Sequence, residues 1–413
     1  MTMNCRLQIA GLQIVGLQIV AACLLWPCAA HAQLTAPRER AQIEFGPLSL
    51  YPSFQLVDAG KDSNVFDDHK DPQEDYTFTL ASRALAVTRL GANELMVSTG
   101  SDYVWFKNFK EERSSNALYA LRFNLSASRL KPFVGASHMR TRARPTSEIE
   151  ARARRLERSV TAGTNLDLTS RTALTASVTM SDSTYAVGET FRGVSLKDSL
   201  DHKDRVYSGG VRYAVTPLTT IAVQGSYGDS RFPGQLRDAK SYTFAPVVEF
   251  SPDAGIRGRF TAGVQRFKPK DAELDEFTGL TYNGGVNWTL WNRTTFDVQA
   301  QRQISFSYYD AQPYYLLTNA RLSITQKIFG PVDLIAGAER QFLSYRFRRG
   351  QVAGTDFAPD EAVRNVVTGG VGVTLRRGFR VVVSGERTVR TSPFDPEGNF
   401  SRTRLLSTVT IGS

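Results

Sequence analysis

An all-β antiparallel barrel of about 18 strands is the fold this sequence predicts. Three observations lead to it. Apolar and polar residues alternate in segments of about ten to fifteen residues from near residue 46 to the end. The connections between these segments are short and long by turns. Past residue 32 no apolar run approaches the ~20 residues that a membrane helix needs, so a chain that enters a membrane does so as strands.

Residues 1–32, "MTMNCRLQIAGLQIVGLQIVAACLLWPCAAHA", carry one positive charge (Arg6), no acid, a long apolar run and a small-residue end at Ala30-His31-Ala32. This is the layout of a secretory signal peptide cut after Ala32. A lipoprotein signal cut before Cys23 is the alternative; it would leave the apolar "LLWPCAA" as a poor surface tether. Cys5, Cys23 and Cys28 all lie in this segment, so the exported chain has no cysteine and no disulfide. Residues 33–45 form a short lead, and 46–413 form the barrel.

The strand pattern is clear at "LSLYPSFQL", "LYALRFNL", "SYTFAPVVEF", "LTYNGGVNWTL" and "VRNVVTGGVGVTL", where alternate residues are apolar. Short turns fall at "RLGANE", "SRLKP", "LTSRT", "VTPLT", "SPDAG", "LWNRT", "KIFGP" and "RRGF". Long polar loops lie between them, at 58–73, 107–115, 141–154, 186–204, 232–240, 268–276, 309–313, 348–361 and 392–401. Eight turns and nine loops join eighteen strands. An even strand number with turns short on one side and long on the other marks an outer-membrane barrel, with tight periplasmic hairpins and free external loops. A soluble sandwich has shorter strands and no such alternation of loop length; a propeller repeats every four strands. The one helix-period stretch, "SEIEARARRLER" at 147–158, reads as a charged loop with at most a turn of helix.

A net charge of +10 with 22% charged residues excludes a disordered acidic chain and directs attention to anionic partners. No nucleic-acid motif is present. His69, His138 and His202 each stand alone in the exported chain, and neither a phosphate loop nor a nucleophile elbow occurs. The acidic "NVFDDHKDPQED" could ligate calcium, but its spacing defines no site and a solvated loop explains it. The expectation is therefore a protein without cofactor or metal that is not an enzyme.

Chemistry is concentrated on the polar phase of the strands. In "TTFDVQAQRQISFSYY" (294–309), Phe296, Val298, Ala300, Arg302, Ile304, Phe306 and Tyr308 face one way, and Asp297, Gln299, Gln301, Gln303, Ser305 and Ser307 the other. Extending that phase puts Arg122, Arg212, Arg259, Asn283, Asn287, Gln299, Gln301, Gln303, Arg321 and Arg364 on the lumen wall. Arg257, Arg376, Arg380 and Arg404 join them, set against Asp167, Glu249, Asp297, Asp333, Glu339 and Glu386, so the wall is mildly cationic. Such a wall suits an acidic or hydroxyl-rich polymer, although any wet lumen is polar. Arg266, Arg302, Arg340 and Arg387 interrupt the apolar phase eight to ten residues past their short turns. They form either an outward belt that meets lipopolysaccharide phosphates or, if bulges turn them inward, a constriction.

Five stretches in order, "KDSNVF", "FRGVSLKDSLDHKD", "YAVTPLTTIAVQGSYGDSRF", "VEFSPDAGIRGRFTAGVQRFKP" and "DAQPYYLLTNARLSITQKIFGPVDL", resemble the outer-membrane β-barrel porins encoded beside exopolysaccharide-synthesis machinery. The resemblance covers the whole exported chain. It implies a passive conduit that exports surface polysaccharide, receives it from periplasmic export components and is inserted by the outer-membrane barrel assembly machinery. The chain ends "TVTIGS" where many such barrels end in an aromatic residue, which leaves the insertion signal in question. A diffusion porin for small solutes such as oligosaccharides is the alternative function, and an outer-membrane enzyme acting on lipid or polymer is a third.

Overall fold

The computed structural model describes residues 41–412 apart from 235–236, 252–254, 350–360, 377 and 394. The signal peptide and most of the lead that the sequence predicts lie outside the described residues. Eighteen long strands make one sheet: β1 Leu48–Asp62, β2 Asp75–Leu90, β3 Asn93–Phe106, β4 Ser114–Asn124, β5 Leu130–Ala143, β6 Ala153–Asp167, β7 Thr172–Tyr185, β8 His202–Thr216 and β9 Thr219–Arg231, followed by β10 Ala239–Phe250, β11 Ile256–Pro269, β12 Phe277–Leu290, β13 Thr294–Phe306, β14 Tyr314–Phe329, β15 Val332–Arg346, β16 Glu361–Arg376, β17 Phe379–Thr391 and β18 Phe400–Gly412. Each pairs antiparallel with its sequence neighbours, and β1 pairs with β18 from Phe54–Ile411 to Lys61–Leu405, so the sheet closes on itself. In lipid every unpaired backbone group costs several kcal/mol, and closure removes both edges. The eight short turns and nine long connections fall where the sequence pattern places them.

Apolar alternation sets which face meets lipid. Phe54, Leu80, Phe244, Val264, Val367 and Leu405 stand exposed on the outer wall, an apolar surface suited to lipid. Aromatic residues mark both rims of that band: Tyr76, Tyr103 and Tyr242 near the long loops, and Trp288, Trp291 and Phe329 at the short turns. At the sheet's closing seam, β1 carries a bulge. Its register shifts between Val57 and Gly60 against β2 and between Leu56 and Ala59 against β18, with Asp58 in the left-handed region at φ 52°. A Cβ on Gly60 would collide with the Leu405 carbonyl, so only glycine fits.

Below the seam, Ile43–Phe45 pairs back on Leu48–Leu50 and covers the end of β1 that β18 does not reach. Two local readings change. The stretch 147–158 holds no helix: it is an irregular loop to Arg152 and then the start of β6, because Arg155 and Glu157 alternate with Arg154, Leu156 and Arg158. Conversely, the loop before β8 is structured, with a small hairpin (Thr190–Phe191 with Val194–Ser195) and a five-residue helix α1, Leu196–Leu200, capped by the Ser195 hydroxyl.

Candidate functional site: the lumen and its outer mouth

The exposed Val298 puts Phe296, Ala300 and Arg302 of β13 on the outer wall and Asp297, Gln299, Gln301 and Gln303 on the lumen side. The same alternation places Arg122, Arg212, Arg259, Asn283, Asn287, Arg321 and Arg364 inward. The amides form a row across strands: Gln301 lies opposite Asn283 on one side and Asn319 on the other, and Gln299 lies opposite Arg321. Gln299 Nε2 donates to Asp297 Oδ1 at 3.0 Å, and Arg257 Nη2 to Asn287 Oδ1 at 3.0 Å.

Ion pairs remove much of the charge expected on the wall. Arg380 holds the Asp333 carboxylate through two nitrogens at 2.5 and 2.6 Å. Arg404 binds Glu386, and Arg212 reaches Glu249 at 3.3 Å. The cationic excess therefore resides on Arg122, Arg259, Arg321 and Arg364, none of which pairs with a described carboxylate. Arg122 bonds Asn124 at 2.8 Å and lies over the Phe133 ring, and Arg259 bonds the Gln224 amide oxygen at 3.2 Å. The sequence pattern missed the inward Arg83–Asp102 pair at 2.6 Å, because small residues on both sides of "TLASRALAV" blur its phase.

The outer mouth is where the lumen departs from a plain wet tube. Tyr315, Leu317, Leu343, Tyr345 and Ala362 lie on the inward phase, yet all five are fully buried. Loops folded into the barrel cover them. Tyr309 packs on this cluster, while Ile149, Tyr185, Leu196, Leu200 and Tyr308 form a second core beside it. Glu148 is the latch between two loops. Its carboxylate accepts the Ser307 hydroxyl at 2.6 Å and the Tyr308 backbone N–H at 3.3 Å. Arg390 of β17 donates to the Glu148 carbonyl at 3.4 Å and pairs with Glu150. Arg237 binds the carbonyls of Ser307 and Tyr308 and the Asp310 carboxylate at 2.8 to 3.1 Å. Arg192 bridges Asp395 at 2.8 Å to the Tyr309 hydroxyl at 3.1 Å, and Arg144 ties the loop to Asp67 at 3.1 Å. Burial pushes the Glu148 carboxyl up to about 7 and brings the Arg144 guanidinium down to about 10.

Arg266, Arg302, Arg340 and Arg387 all lie on the lipid-facing phase, in line with Val264, Val298, Phe342 and Val383. They do not line a constriction. Arg266 is held by Glu276 at 2.8 Å, Arg340 lies over the Phe342 ring at 4.7 Å, Arg302 is half-buried between Tyr282 and Thr318, and Arg387 is exposed between Val367 and Thr403.

A closed barrel with an apolar outer band, aromatic rims and a charged lumen has the build of an outer-membrane pore, and the model of the family described as Putative beta-barrel porin 2 matches residues 37–412. The chain belongs to this family. Porins of this family and the fold place it in the outer membrane as a multi-pass barrel. Among solved structures, it is similar to Pseudomonas aeruginosa OccK2 (OpdF), with 11% identity over 88% of this chain and 98% of that one and a TM-score of 0.50. It is also similar to a BenF-like porin from Pseudomonas fluorescens Pf-5, with 10% identity, 88% and 99% coverage and a TM-score of 0.49. At such identity the similarity speaks to the fold alone. No curated protein matches the chain.

Proposed function

We propose that this porin is a passive diffusion pore for small hydrophilic solutes, with a lumen that favours anionic and hydroxyl-rich ones, and that it catalyses no reaction. The observation that carries the reading is the loop-filled mouth. An 18-stranded barrel encloses a wide aqueous lumen on its own. Here the loops around Glu148 and Tyr308 pack against inward tyrosines, which limits entry by size in a way that suits a small solute and obstructs a polymer. Beyond the mouth, Arg259 and Arg321 attract anions, and the amides of Gln299, Gln301, Gln303, Asn283 and Asn287 exchange hydrogen bonds with hydroxyl groups without holding them. The polysaccharide-export reading rests on the resemblance in the sequence and on that same amide row, and it would bring periplasmic export components as partners.

Liposome swelling with a series from monosaccharides to long dextrans tests the choice. A diffusion pore gives fast swelling for mono- and disaccharides that falls off with size. Absence of swelling with any small sugar would refute it. A deletion strain that stops exporting surface polymer, and regains export with the wild-type chain, would favour the conduit.

A further inference from the structure

A group of exposed cations on the lipid-facing wall lies away from the four arginines that the sequence pattern singles out. It lies on the outer ends of β6, β7 and β8. Arg158, Lys203 and Arg205 are exposed there on the phase of Val160, Met180 and Tyr207, within five residues of the long loops. Register brings them together: Arg158 lies opposite Asp182, Asp182 opposite Lys203, and Met180 opposite Arg205. They line a shallow groove whose floor includes Val160 and Met180, which are 53% and 49% exposed.

On the other flank Asp229 lies opposite Arg205 and Arg231 opposite Lys203, but Arg231 takes the Asp229 carboxylate at 2.8 Å, so none of Arg158, Lys203 and Arg205 forms an ion pair with a described residue. Among the described residues, Asp182 itself accepts only a 3.4 Å bond from the Thr184 hydroxyl. The contrast with Arg266, neutralised by Glu276, is direct. An unpaired arginine facing hydrocarbon at the midplane costs about 2 to 4 kcal/mol, falling towards zero at the interface. A cluster of unpaired cations just above an apolar floor therefore matches the level at which the outer leaflet carries its phosphates.

We propose that this groove binds a phosphorylated glycolipid of the outer leaflet, the lipid A part of lipopolysaccharide. Arg158, Lys203 and Arg205 hold its phosphates through charge-assisted hydrogen bonds, and Asp182 accepts a sugar hydroxyl. The acyl chains run down over Val160 and Met180. This site is independent of what passes through the lumen.

The full chain, purified in detergent, is titrated with bisphosphorylated lipid A, with the same lipid after removal of its phosphates, and with phosphatidylglycerol, and bound lipid is counted by native mass spectrometry. The expected result is at least tenfold tighter binding of bisphosphorylated lipid A than of either other lipid. The R158Q/K203Q/R205Q variant loses that preference, whereas R266Q/R340Q keeps it; heat-modifiable migration on gels verifies that both fold. Equal binding of the phosphorylated and stripped lipids, phosphatidylglycerol binding as tightly as lipid A, or a triple variant that binds like wild type would each overturn the proposal. If the triple variant does not fold, the three-lipid comparison on the wild type decides.

Discussion

Replacing Glu148 by glutamine tests the latch at the mouth. In the wild type its carboxyl is raised from 4.5 to about 7 by burial, so the latched state holds a proton that the released state gives up. A raised acid stabilises the latched state fully below its free value and loses that contribution as pH rises through the bound one. The window is therefore about pH 4.5 to 7. A shift of about 2.5 units at 1.36 kcal/mol each is about 3 kcal/mol, or up to roughly three-hundredfold in the ratio of open to latched mouths. The charged groups facing Glu148 are Arg390 and Arg237, which stay protonated across this window. Burial raises Tyr308 away from it. Glu150 and His202 are other ionisable groups near the latch among the described residues. Single-channel recording in planar bilayers from pH 5 to pH 8 should show the wild type opening more as pH rises. Glu148→Gln should keep the wild type's pH 5 behaviour throughout, while Glu150→Gln and His202→Gln should retain the response. Gating that is flat from pH 5 to 8 in the wild type, or an unchanged response in Glu148→Gln, would refute the reasoning.

Other consequences are equally direct. Arg380→Met strands the buried Asp333 carboxylate and should cost about 3 kcal/mol in urea unfolding followed by tryptophan fluorescence; adding Asp333→Leu should recover most of the loss. Arg259→Glu with Arg321→Glu should move the reversal potential in a KCl gradient towards cation selectivity; an unchanged potential would mean that the path avoids these strands. Gly258, at φ 133° with the Gly285 carbonyl where a Cβ would sit, should not tolerate alanine. Gly258→Ala should cost about 1 to 3 kcal/mol, read as a smaller heat-modifiable folded fraction.

Why the barrel is legible in the sequence is a matter of period. A strand that separates lipid from water must alternate, and the alternation of "LTYNGGVNWTL" or "TTFDVQAQRQI" fixes both the strand and its two faces. The lumen residues follow, since a residue out of phase with Val298 or Leu280 has nowhere to point but inward. The same logic places Arg302 and its three companions on the outer wall, because β11, β13, β15 and β17 run through these positions without a register shift. A bulge does flip a phase in β1, where Asp58 turns towards Arg404, and composition gives no warning of it beyond the neighbouring Gly60.

The mouth is illegible for the opposite reason. Its loops have no period, and what makes them a plug is the meeting of residues far apart in sequence. Glu148 finds Ser307, Arg192 finds Asp395 and Arg144 finds Asp67. One signal was present nonetheless. The inward phase of "PYYLLTNARL" carries Tyr315 and Leu317 before it reaches Asn319 and Arg321. Apolar side chains on the wet face of a barrel need a cover, and the only chain available to supply it at that end is the long loops. An inward apolar patch next to long connections thus announces that the loops turn in, and such a patch limits the size of whatever the pore admits.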